Sequence, residues 1–145
     1  MENLLRIGKL KAHAADDEEI ARVLQSADRV LKDASVAALS ADSRLGLAYR
    51  AVMQAALAAM LANGYRPATS EPGHHQLLIQ ALPTTIGMAA ERVQVLEGYR
   101  KARNQSDYRG VPVSEAVARE CAQEAQRLVA EVRTWIAENK KPRAV

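Results

Sequence analysis

The sequence predicts an all-α fold, an up-and-down bundle of four to five helices, on three observations. Apolar residues recur at helical spacing in four long segments, those segments are separated by Gly, Pro and capping side chains, and no segment alternates with the period of a strand. A chain of 145 residues makes about one domain and can bury one sizeable core without metal or disulfide staples. Hydrophobic residues are 48% of the chain, yet aromatics are only 3% and Phe is absent, so the core is built from Ala, Leu, Val, Ile and Met. Such small aliphatic side chains suit closely packed helices.

Residues 1–15 read as an N-terminal helical arm, with Leu4, Leu5, Ile7 and Leu10 apolar over residues 2–13. A helix this short is stable only when packed. The domain proper is expected over residues 16–139. Asp16-Asp17-Glu18-Glu19 places negative charge at a helix start, where it complements exposed amide groups, and the stripe from Ile20 through Leu24, Ala27 and Leu31 to Ala34 follows. Ser40-Ala41-Asp42-Ser43 caps the next helix, whose wide stripe, from Leu45 through Tyr49, Val52, Met53, Leu57 and Met60, makes it the central one. Leu57 is expected inside the core. Asn63-Gly64 terminates that helix and Pro67 prevents its restart, so residues 65–73 are expected as a loop.

A short helix over residues 74–82 should be ended or kinked by Pro83, with a connection through Thr84-Thr85 and a new helix from about Gly87. Along that helix Ala90, Val93, Leu96 and Tyr99 are expected to face the core, with Glu97 and Lys101 paired at i,i+4. It should end before Gly110. Val111-Pro112-Val113 is an extended connector, Ser114 caps the last helix, and Val117, Cys121, Ala125, Leu128, Val132 and Trp135 or Ile136 form its stripe. Residues 140–145 form a basic tail.

The formal net charge of +3 permits an anionic partner without requiring one. No apolar run of signal-peptide length opens the chain, and the apolar stretch over residues 51–62 is interrupted by Gln54 and too short to span a bilayer, so cytoplasmic localisation and no membrane association are expected. Cys121 is the single cysteine and reads as a core thiol. The sequence carries no P-loop, no Gly-x-Gly-x-x-Gly, no nucleophile elbow and no repeated carboxylates of a di-iron bundle. No cofactor is expected.

Two stretches carry the chemistry. On a helix Arg100 and Arg103 share a side, and the chain then delivers Asn104, Asp107 and Tyr108 at the helix end. Guanidinium groups beside an amide and a phenol make a candidate phosphate site. The same cations also fit a solvated helix C-terminus, where the dipole favours them. The second stretch is Gly73-His74-His75-Gln76, whose neutral imidazoles could bind a ligand or shuttle protons near pH 7. Adjacent histidines point about 100° apart on a helix, and soft ligands are otherwise scarce, so no metal site is expected.

Taken together, Asp42-Ser43-Arg44 through Ala48-Tyr49, Gly64-Tyr65-Arg66-Pro67, the histidine-led helix, Arg103-Asn104-Gln105-Ser106-Asp107-Tyr108 and the closing Ser114-Glu115-Ala116 helix resemble the HEPN superfamily (higher eukaryotes and prokaryotes nucleotide-binding domain). The resemblance is nearest to compact prokaryotic members with an Arg-x-x-x-Asp-Tyr-like motif on the fourth helix. It implies a helical bundle, commonly a homodimer, often paired with a nucleotidyltransferase partner protein in toxin-antitoxin or defence systems, with RNA or a nucleotide as ligand. Active members are metal-independent ribonucleases whose motif is Arg, four to six residues, then His. Here Arg103 matches and Tyr108 stands in place of His. A phenol of pKa about 10 is a poor base near pH 7, so the resemblance implies binding with a degenerate ribonuclease motif. His74 and His75 are the candidates for an imidazole supplied from elsewhere, Arg103 and Tyr108 for the remaining catalytic roles. An active ribonuclease, and a structural or partner-binding bundle with no nucleic-acid ligand, are the alternatives.

Overall fold

The structure, a computed structural model, is described over residues 9–68 and 74–139. Four long helices make the body: α1 (Asp17–Ala34), α2 (Ala41–Ala62), α5 (Ala90–Arg109) and α6 (Glu115–Glu138). Two short ones, α3 (His74–Gln80) and α4 (Leu82–Ile86), lie between α2 and α5, and two three-residue strands, β1 (Leu10–Ala12) and β2 (Tyr65–Pro67), pair at one edge. The fold is all-α, as the periodicity predicts.

Caps set the helix bounds. The side chains of Asp16, Ser40 and Ser114 accept from the backbone N–H groups of Glu19, Ser43 and Val117, so α1, α2 and α6 each start with an orphan donor satisfied. At the other ends Gly64, Gly87 and Gly110 adopt positive φ of 89°, 74° and 66°, the left-handed turn that side chains disfavour.

The four long helices alternate in direction. Near its start α2 meets the end of α5 through Asp42 and Ser106, and at its far end Asn63 donates to the Thr85 carbonyl of α4 at 3.1 Å. The start of α6 meets the start of α2 through the Arg44–Glu115 ion pair, so these two run the same way. They are also among the most closely packed pairs, as are α1 and α2.

That closeness follows from composition. Ala48, Ala51, Ala55, Ala58 and Ala59 of α2 are 0% exposed, as are Leu45, Val52 and Met60. A helix apolar around most of its circumference must be covered on more than one side, and alanines let its neighbours approach. By length and composition α2, at 22 residues and mean hydropathy 1.4, could cross a membrane, which the shorter reading over residues 51–62 did not anticipate. Burial of 67% of its apolar window inside the domain is the arrangement of a core helix.

Several expectations are corrected. The helix expected over residues 2–13 gives way at Leu10–Ala12 to β1, antiparallel to β2 with Leu10 opposite Pro67 and Ala12 opposite Tyr65. A short helix nucleates poorly, whereas the chain leaving Gly64 offers backbone partners, and Leu10 is 2% exposed beneath the pairing. The loop expected from Tyr65 therefore begins with β2. Residues 1–8 of the expected arm, residues 69–73 and the basic tail lie outside the described residues.

Helix α5 begins at Ala90 rather than near Gly87, because Leu82–Ile86 forms its own short helix with Pro83 in the first turn, where a missing N–H costs nothing. Ala90 is exposed, and Met88 fills the core beside it. Glu97 pairs with Arg100 at 2.8 Å instead of with exposed Lys101. Leu57 is only half-buried and borders a surface groove.

The contrast between Leu57 and its neighbours on α2 is testable. Met60→Asp should unfold the domain, since a carboxylate there has no partner in an aliphatic core. Leu57→Asp should keep helical circular dichroism and a cooperative melt, because its side chain can reach water. Equal loss of fold in both variants would show that the groove is core.

Candidate nucleic-acid interface

The last two turns of α5 are fixed to α2 by a carboxylate. Asp42 accepts from the Ser106 hydroxyl at 2.7 Å and from the Val113 backbone N–H at 3.2 Å. These two bonds, the Ser106 hydroxyl first, hold its pKa below the usual carboxylate value. The end of α5 and the connector after it are thereby set against the start of α2.

One turn earlier Arg103 lies over Tyr49 of α2, its guanidinium carbon 4.8 Å from the ring centroid. A guanidinium over a phenol ring contributes about 0.5–2 kcal/mol, more as it is desolvated. The same guanidinium donates to the Asn104 side-chain oxygen at 3.1 Å, and its Nε lies 3.8 Å from Asp107. Arg100 donates through its Nε to Glu97 at 2.8 Å, and Glu97 is 8% exposed. Neither arginine is a freely solvated cation. The reading of a solvated helix end therefore holds for Lys101, which is exposed, and fails for Arg100 and Arg103, which are partly buried.

Helix α3 brings the histidine stretch to the same place. His75, half-buried, has its ring centroid 6.5 Å from that of Tyr49 with the planes tilted by 59°. The side chain of His74 lies outside the described residues. Around a depression of about 290 Å³ stand Tyr49, His75, Gln76, Arg100, Arg103, Asn104 and Tyr108. Tyr108 is 80% exposed, so its ring projects over this rim and that of a neighbouring hollow lined by Lys101, Asn104, Gln105 and Arg109. Asp107 lines neither hollow and acts here only through Arg103.

Of the residues expected to form a site, Arg100, Arg103, Asn104, Tyr108 and His75 thus meet at one depression within a single chain. Tyr49 and Gln76 join them unforeseen. Tyr49 read as one more member of an apolar stripe, and only the fold shows its ring turned under Arg103. No cluster of His, Cys, Asp or Glu that could hold a metal ion occurs among the described residues.

No protein-family model matches the chain, and a search of the curated proteins returns no significant match.

Electrostatics distinguish the buried groups from the exposed ones. Burial pushes the Tyr49 hydroxyl up to about 12, against the opposing pull of the Arg103 and Arg100 charges. The Tyr99 hydroxyl and the Cys121 thiol are also raised to about 12, in both cases by burial first. A thiol so raised is a poor nucleophile, which fits the core role read for Cys121. The Tyr49 hydroxyl has no hydrogen-bond partner among the described residues, nor has the Gln54 side-chain oxygen.

Each of these acids ionises more easily unfolded than folded, near 9 for the thiol and 10 for the phenols. Their contribution to stability is complete below pH 9 and is lost as pH rises towards 12. The melting midpoint should accordingly decline steeply across that window. Tyr49→Phe should leave the neutral-pH midpoint unchanged or higher, by removing an unsatisfied buried hydroxyl, and should soften the alkaline decline. A fall of several degrees at pH 7 would show that the hydroxyl is satisfied.

Proposed function

We propose that the depression at the end of α5 binds RNA or a nucleotide through its phosphate, as a HEPN-like module with a degenerate ribonuclease motif. The observation that carries this reading is the meeting of Arg103, Arg100, Asn104, Tyr108 and His75 around one hollow. Each side chain has a part in it. Arg103 is pre-oriented by the Tyr49 ring and Asn104, and its terminal N–H groups can fork onto a phosphate while Nε stays buried beside Asp107. Arg100, its charge engaged by Glu97, lines the hollow, and Asn104 offers its amide N–H groups.

Tyr108, being 80% exposed, offers a ring on which a base can stack, worth about 1–3 kcal/mol per base. The convergence of Asp42 with Ser106, of Tyr49 with Arg103 and of Arg44 with Glu115 also supports the resemblance, since it joins the stretches on which that resemblance rests. A homodimer, and a nucleotidyltransferase partner in a toxin-antitoxin or defence module, belong to the same proposal.

A second reading, an active metal-independent ribonuclease, is favoured by one fact. His75 borders the same hollow as Arg103, and a neutral imidazole can take the proton of a ribose 2′-hydroxyl as its oxygen attacks the adjacent phosphorus, forming a 2′,3′-cyclic phosphate as the P–O5′ bond breaks and the leaving 5′-oxygen takes a proton from water. Arg103 would then stabilise the charge that develops on the phosphoryl oxygens.

Anisotropy of a fluorescent oligoribonucleotide separates the readings. Binding should weaken as salt rises, because phosphate contacts release counterions. Tyr108→Ala should weaken it about tenfold or more with an unchanged melting midpoint, as expected of an exposed ring. Binding indifferent to Tyr108 and to salt would remove the proposal. RNA cleavage that survives EDTA and disappears in His75→Ala would replace it with the ribonuclease reading.

A further inference from the structure

A larger groove, of about 630 Å³, runs beside the depression along α2. Its apolar lining comes from α1, α2 and α3: Val23, Met53, Leu57, Leu61 and Leu78. Met53, Leu61 and Leu78 are already buried, while Leu57 is half-exposed to it. Charge is distributed unevenly around this lining. Arg50, Arg66 and Arg103 border the groove against one carboxylate, Glu19, which is already engaged by His13 Nε2 at 2.9 Å. Neither Arg50 nor Arg66 has an acidic partner among the described residues.

We propose that this groove binds an amphipathic carboxylate, a medium-chain fatty acid or a molecule of that shape, with its chain along the aliphatic lining and its headgroup at Arg66. Size and surroundings favour such a ligand over a protein partner. The volume lies within the range of small-molecule sites, about 300–1,000 Å³. A protein partner would need a surrounding apolar surface, on the order of 800 Å² a side. The exposed large hydrophobics Val36, Leu39, Val95, Tyr108 and Val111 do not line this groove.

Length agrees as well. From Tyr49 to Leu61 the groove follows α2 for about 18 Å at 1.5 Å per residue, room for a chain of about eight to twelve carbons. A nucleotide fits the lining less well, since aliphatic side chains neither stack a base nor satisfy its edges.

The proposal does not rest on RNA binding, because Leu57 and Arg66 do not line the polar depression. Isothermal titration with sodium decanoate below its micelle concentration tests it. Decanoate should bind in the micromolar range, octanoate roughly tenfold more weakly for the two methylenes lost, and 1-decanol at least tenfold more weakly for want of the charge. Leu57→Asp should abolish binding, and Arg66→Ala should weaken decanoate at least fivefold while leaving decanol unchanged. Both variants should keep the circular dichroism and oligoribonucleotide affinity of the parent, which confines their effect to the groove. Absence of decanoate binding to the parent, or equal affinity for decanoate and decanol, would overturn it.

Discussion

A helix buried around most of its circumference cannot rest against a single neighbour, and α2 is such a helix, open only along the side that carries Gly46, Arg50, Gln54 and Leu57. Alanines at 48, 51, 55, 58 and 59 are all 0% exposed and share one side of the helix, where neighbours approach closely. The rest of the fold is cover. Helices α1 and α6 take the broadest contact, α5 and the short α3 and α4 close other flanks, and β2 with β1 closes the edge beyond Gly64. Van der Waals contact holds α2 among these layers, since each buried aliphatic group contributes in proportion to the area it hides, and ion pairs of Arg92 with Glu124 and Glu131 tie α5 to α6.

Both candidate sites arise where that cover thins. Between α1 and α3 the covering elements leave Leu57 half-open, and the groove lies over it. Where α5 passes the start of α2, the residue it places on the core helix is an arginine rather than an aliphatic one. Arg103 meets the core there over the Tyr49 ring, while its side chain stays partly exposed. The polar depression is thus tied to the core through one ring, and Asp42 keeps the end of α5 from drifting away from it. Tyr49 and Arg103 border both hollows. Occupancy of one can therefore be felt in the other.

The helices were legible in the sequence because their signals are local. Ser40, Ser114 and Asp16 cap where they stand, Gly64 and Gly110 terminate where a left-handed residue is needed, and the stripes of α1 and α6 carry clean helical periods. What depends on distant partners was not legible. Strand β1 exists because Leu10–Ala12 finds Tyr65–Pro67 across more than fifty positions, and nothing in its composition announces a strand. Leu57 looked like core because it is aliphatic, although Arg50 and Gln54, at helical spacing from it, mark the side of α2 that lacks a neighbour. In the site, Arg103 and Tyr108 stood out as a motif, and His75 stood out by its chemistry. That Arg100 spends its charge on a nearly buried Glu97, and that Tyr49 underlies Arg103, needed the packing of α5 on α2.

The claim that the end of α5, His75 and Tyr49 form one ligand site in a single chain is tested most directly by nuclear magnetic resonance. Amide and aromatic shifts of the isotope-labelled protein would be followed while a short oligoribonucleotide is added. The account predicts perturbations confined to Tyr49, His75, Gln76 and the backbone from Arg100 to Tyr108, with α1 and the outer face of α6 unmoved. Shifts centred on α6, or scattered with no focus near Arg103, would contradict it.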